Sequence, residues 1–127
     1  MNKLLQKFFC IAIIAALTTG LFSCKSNEFT GNRIKNSDSY ISEIQYMNGT
    51  DVHSLSLGSG DVLKIEFKTE KGDLHMEITT PGGEKAYSGN GKEATEFRIT
   101  VSESGVYTVT VRAKRANGSI RITRVEK

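Results

Sequence analysis

This sequence predicts an all-β fold, an antiparallel β-sandwich of about eight short strands, and three observations predict it. Apolar and polar residues alternate over long stretches after residue 39, as in Leu63-Lys64-Ile65-Glu66-Phe67-Lys68. Turn signals such as Asn48-Gly49, Gly58-Ser59-Gly60, Pro81-Gly82-Gly83 and Asn117-Gly118 punctuate that alternation every roughly 8 to 12 residues. No stretch beyond the apolar N-terminal run needs a helical period.

The chain opens differently. Lys3 and Lys7 precede an apolar run from Phe8 to about Leu17, and Leu21-Phe22-Ser23-Cys24 closes it. A basic start, a short apolar centre and a small-residue boundary are the parts of an export signal. A membrane-spanning helix needs about 20 predominantly apolar residues, and Thr18, Thr19, Gly20 and Ser23 dilute this run. The segment resembles a bacterial lipoprotein signal peptide, with Phe22 standing where a small residue is commoner. That resemblance implies cleavage before Cys24, a lipid on its sulfur, and anchorage in the cell membrane or outer membrane, facing away from the cytoplasm. An ordinary export signal that leaves Cys24 as a free thiol is the first alternative, and a buried core helix the second.

Residues 1–23 are therefore expected to be a signal peptide helix, 24–38 a flexible tether, and 39–127 the β-sandwich domain. The tether expectation rests on Ser26, Asn27, Thr30, Gly31, Asn32, Asn36 and Ser37, among which only Phe29 and Ile34 are strongly apolar. Such a segment buries too little apolar area to offset its ordering entropy, and would hold the domain away from the headgroups. An edge strand seeded by Phe29 or Ile34 is the competing expectation.

Of the 127 residues, 23 leave with the leader and 104 remain, enough for one domain with a modest core. The net charge of +3 falls to +1 once Lys3 and Lys7 are gone, which argues against a nucleic-acid footprint over the whole surface. Cys10 and Cys24 are the two cysteines, so the folded domain has no disulfide and depends on packing and ladder hydrogen bonds.

In chain order the first strand is expected over 40–47, where Ile41, Ile44 and Tyr46 alternate imperfectly, as at a bulge or an edge. Asn48-Gly49 suits a tight hairpin turn into 52–57, where Leu55 and Leu57 share a face. In 62–69, Leu63, Ile65 and Phe67 point inward, and Leu74, Met76 and Ile78 repeat the device. A two-residue loop at Lys71-Gly72 would set Phe67 opposite Met76 and Ile65 opposite Ile78. Pro81-Gly82-Gly83 ends that strand, and a weak one around Tyr87 follows. Phe97, Ile99 and Val101, then Tyr107, Val109 and Val111, give two more inward rows. Asn117-Gly118 would turn the chain into a last strand over 119–125.

The strands Val62–Phe67 and Leu74–Thr80, the turn Pro81-Gly82-Gly83, and Ser104-Gly105-Val106-Tyr107 leading into a late strand resemble the bacterial pre-peptidase C-terminal domains. That resemblance implies a small jelly-roll-like fold and a role in binding or attachment. Some such domains hold calcium on clustered acids, whereas Asp61 and Asp73 here stand singly.

Chemistry is sparse. His53 and His75 are the only imidazoles, and no spacing of His, Cys and carboxylates matches a zinc set, so neither metal nor cofactor is expected. No Gly-x-Ser-x-Gly elbow is present, and Glu66 and Glu77, expected face to face, sit among lysines as a solvated lattice. An enzyme is the least expected class. The uneven feature is Arg112, Lys114, Arg115, Arg121 and Arg124, crowded toward the C-terminus with Lys114 expected opposite Arg121. Like charges so placed invite an anion: an acidic protein, an anionic glycopolymer or lipid headgroups. The competing view is that they only guard an edge strand. The sequence thus points to an envelope binding or adaptor module, with a glycan-binding module, or an accessory or inhibitor domain of an envelope enzyme, as alternatives. With no Trp and four Tyr, an aromatic platform for sugars would be meagre.

Overall fold

The computed structural model describes residues 27–126, so the expected signal peptide and Cys24 lie outside the described residues. The described residues are all-β and antiparallel, in six strands: β1 (Glu28–Asn36), β2 (Ser39–Leu57), β3 (Val62–Thr79), β4 (Lys85–Gly89), β5 (Thr95–Thr100) and β6 (Gly105–Glu126). They form one sheet in the order β1-β2-β6-β3-β4, with β5 also paired to β3.

All eight expected strand segments lie in or against these strands, but three expected hairpins do not exist. Asn48-Gly49, Lys71-Gly72 and Asn117-Gly118 lie inside β2, β3 and β6, where the register shifts instead of reversing. The inward face of β2 runs Tyr40, Ser42, Ile44, then Met47, Leu55 and Leu57, changing parity at the shift. The same change separates Phe67 from Leu74 in β3 and Val111 from Ala116 in β6. An extra residue bends a strand and sharpens its twist, and three side by side fold the whole sheet over one line.

The halves make two layers around one core. The first holds β1, the N-terminal half of β2, the C-terminal half of β6, the N-terminal half of β3, and β5. The second holds the remaining halves of β2, β6 and β3, and β4. Ile65, Phe67 and Ile122 from the first and Leu55, Met76 and Val109 from the second belong to a single buried cluster. Tyr87 of β4 lies 4.8 Å from Phe97 of β5, closing one side.

Side-chain pairings change accordingly. Phe67 lies opposite Ile120 and Thr95, and Met76 opposite Val111 and Gly89, so the expected Phe67–Met76 pair is absent. Glu66 and Glu77 lie in different layers. Lys114 faces Asp73 and Arg121 faces Glu66, not each other, which removes the expected like-charge clash. A hairpin turn and a bulge both ask for a glycine at positive φ, so the dipeptides alone do not choose between them. Pairing each half of β3 with β6 chose the bulge.

The expected tether is also corrected from Glu28 onward, because β1 pairs with β2 from Glu28↔Asn48 to Asn36↔Ser39. Its polar composition concealed an edge strand whose inward positions are Phe29 and two cations. The Arg33 guanidinium lies 3.6 Å above the Phe29 ring, and Arg33 Nε and Lys35 Nζ reach Asp51 at 3.1 and 2.7 Å. These contacts, with Tyr40 stacked on His53 at 5.7 Å, close the second side.

Candidate functional site: a cationic ridge at the bend

Where the three long strands bend, their extra residues form a ridge on the outside of the fold. Arg115 adopts φ 47, the only described non-glycine residue at positive φ, and its N–H donates to Asn48 Oδ1 at 3.2 Å. Beside it Gly72, at φ 72, lies so close that a Cβ would come within 2.1 Å of the Arg115 carbonyl oxygen. Backbone packing therefore fixes where the neighbouring side chains leave the surface. Lys68 pairs with Glu70 at 3.4 Å and Asp73 with Lys92 at 3.1 Å. Among the described residues, Lys71, Lys114 and Arg115 have no ion-pair partner. Tyr46, in the β2 bulge, is 38% exposed.

Only part of the expected basic group gathers here. Lys114 and Arg115 stand on the ridge with Lys71, a residue the sequence reading passed over because it was placed in a hairpin loop. Arg112 reaches Glu77 at 3.4 Å on the outer face of the second layer, where His75 and Lys85 also contact that carboxylate. The His75 hydrogen bond, against a small cost of burial and with help from Lys85 and Arg112, holds Glu77 below the ordinary glutamate value. Arg121 lies 3.9 Å from Glu66 on the first layer, and Arg124 contacts Asp38 and Asp61 at 3.4 and 3.8 Å at the far end. Arg112 and Arg124 are 12 residues apart on one strand, a path of roughly 40 Å at about 3.3 Å per residue.

The remaining polar centres are structural. Asp51 accepts from Tyr40 Oη at 2.7 Å and from Lys35 Nζ at 2.7 Å, tying the layers together. Burial pushes the Asp51 carboxyl up, but the Lys35 and Tyr40 hydrogen bonds and the charges of Arg33 and Lys35 outweigh it and hold it below the ordinary value. Burial, then the hydrogen bond and charge of Asp51, drives the Tyr40 phenol well above its usual range. His53 Nε2 donates to the Asn36 carbonyl at 2.6 Å. Among the described residues no group of three or more His, Cys, Asp or Glu is placed to hold a metal ion. Asp61 instead accepts from the Gly58 N–H at 2.8 Å, bracing a turn. Tyr40 and Tyr107 are buried and Tyr87 leans on Phe97, leaving Tyr46 as the exposed ring among the tyrosines.

No protein-family model matches this chain, the pre-peptidase C-terminal domains included, and no curated protein does. Among solved structures it is similar to PliG of Aeromonas hydrophila, a periplasmic lysozyme inhibitor of g-type lysozyme. The identity is 15%, the alignment covers 75% of this chain and 86% of that one, and the TM-score is 0.45. A likeness that remote carries no weight for fold or function.

Proposed function

We propose that the protein is a non-enzymatic binding module of the cell envelope, anchored by lipid on Cys24, whose cationic ridge engages an anionic ligand. The observation that carries this reading is the set of three unpaired cations, Lys71, Lys114 and Arg115, held on a rigid bend while most other arginines are already paired. Two further points support it. The leader has the parts of a lipoprotein signal, and Ser88 Oγ, 3.3 Å from His75 Nε2, meets the same ring nitrogen that Glu77 holds at 3.1 Å, so this hydroxyl lacks a base oriented from its other side. Cations spaced along a rigid ridge suit a repeating anionic chain or an extended anionic surface better than a single small anion.

The test uses the purified full-length protein in detergent, titrated with inorganic polyphosphate as a model polyanion. Saturable binding is expected, weakened about tenfold or more by the triple variant Lys71→Gln, Lys114→Gln, Arg115→Gln. A second triple variant, Lys64→Gln, Lys85→Gln, Arg121→Gln, changes the net charge equally away from the ridge. Equal weakening by both variants would show that net charge alone governs binding, and the ridge would lose its role.

A further inference from the structure

The described chain begins at the ridge. Asn27 Oδ1 accepts from the Thr50 N–H at 3.0 Å, Glu28 pairs with Asn48, and Asn48 in turn accepts from Arg115. Asn27 is the third residue after Cys24, and three residues span at most about 11 Å even when fully extended. The opposite end, where Ser56 N–H donates to the Ser37 carbonyl and Gly60 N–H to the Val101 carbonyl, lies a half-strand away. Half-strands of about nine residues put that end roughly 30 Å from the ridge.

Resting on the lipid anchor and ridge of the preceding proposal, we propose that the ridge docks on anionic headgroups of the same bilayer that holds the Cys24 lipid. The anchor keeps the ridge within about 11 Å of the surface, little more than one Debye length of roughly 8 Å at physiological salt, so its charges still act on the surface, though partly screened. Lys71, Lys114 and Arg115 face that surface without internal partners, and Tyr46 beside them supplies an amphipathic ring suited to the headgroup layer. Glu28, Glu43 beside Gly118 and Glu93 in the loop against Thr69 lie toward the same end and oppose them, while Glu70 and Asp73 are already paired with Lys68 and Lys92. Among the described residues the far end offers no comparable charge: its Arg124 is held by Asp38 and Asp61, and Glu84 and Glu103 are exposed there. The anchor makes docking intramolecular, so weak contacts suffice to orient the domain. It then stands with β1 rooted at the membrane and the Gly58–Asp61, Pro81–Glu84 and Ser102–Ser104 loops pointing away.

The experiment is depth-dependent quenching with the full chain expressed in a bacterial host, purified with its lipid and reconstituted into vesicles. A lipidated Cys24 has no free thiol, so a cysteine introduced at Thr30 on the ridge, or at Ser102 on the far end, takes an environment-sensitive fluorophore alone. In vesicles containing phosphatidylglycerol the Thr30→Cys label is quenched by headgroup-bound quencher several-fold more than in pure phosphatidylcholine, and the Ser102→Cys label in neither. Removing the three ridge cations as glutamines lowers the ridge signal to its neutral-vesicle level; each cation at an anionic surface is worth about fivefold in the docked fraction. Equal quenching at the two positions, insensitivity to lipid charge, or a mature protein lacking lipid on Cys24 would overturn the inference. If polyphosphate binding by the ridge survives that result, the binding module stands and its ligand is a soluble polymer or a protein; loss of both removes the ridge as a site.

Discussion

Asp51 shows how single residues hold this fold closed, because it receives Tyr40 from its own strand and Arg33 and Lys35 from β1. Its carboxyl is lower in the folded chain than in the unfolded one, so its contribution is complete above the unfolded value near pH 4 and is lost as pH falls through the folded value. Tyr40 is raised, so its contribution is present below the unfolded phenol value near pH 10 and disappears as pH climbs past it. We expect Asp51→Asn to cost about 1–3 kcal/mol at neutral pH. Urea midpoints measured from neutral pH down to about pH 2 should converge for the two proteins as the acid limit is approached. Parallel curves would mean that the carboxylate adds nothing beyond its shape. None of this network was legible in the sequence, where Asp51 follows a presumed turn and Arg33 and Lys35 belong to an expected tether. Charged residues on a polar stretch signal solvent until a strand across the core supplies their partner. The cationic ridge was half legible: Lys114 and Arg115 stood out by density, whereas Lys71 joins them only because β3 and β6 bulge side by side.

At the scale of the elements, the bend depends on bulges that allow strands to approach where a side chain would not fit. Gly72 tests this sharply, since a Cβ there would meet the Arg115 carbonyl oxygen, whereas Gly83, also at positive φ (92), has nothing within 4 Å. Gly83→Ala should cost about 1 kcal/mol for the left-handed conformation alone. Gly72→Ala adds displacement of the β6 backbone and should cost about 3–4 kcal/mol. Chemical denaturation of both variants reads the difference, and equal losses would show that the bulge shifts freely and does not hold the bend. The alternation of Leu63, Ile65 and Phe67, of Leu74, Met76 and Ile78, and of Tyr107, Val109 and Val111 was legible because one wet face and one buried face leave a period of two in the sequence. The connection between such runs was not, since the glycine that turns a hairpin also suits a bulge.

For the molecule as a whole, the consequence of the long strands is that neither layer has a sheet of its own. β6 crosses both, pairing with β2 and β3 in each, so losing the core contacts of one layer also frees the ladder of the other. Two sheets joined only by loops could in principle separate in stages; here unfolding should be a single cooperative transition. The sequence contains no Trp, so one introduced indole reports its own surroundings cleanly. Ile34 on β1, 51% exposed, and Val106 on β6, 53% exposed, are surface positions in different layers where an indole needs no core space. The Ile34→Trp and Val106→Trp variants should each show urea fluorescence midpoints that coincide with their far-ultraviolet dichroism. Their denaturant slopes should also agree, because each indole reports exposure of the same total surface. An earlier transition at Ile34→Trp alone would mean that β1 detaches first and that the Asp51 contacts, not the bent sheet, limit the cooperative unit. Refolding of the same variants should be slow for a chain of this length, since the β2–β6, β3–β5 and β3–β6 ladders all join residues distant in sequence, Ser39 with Thr123 being the extreme.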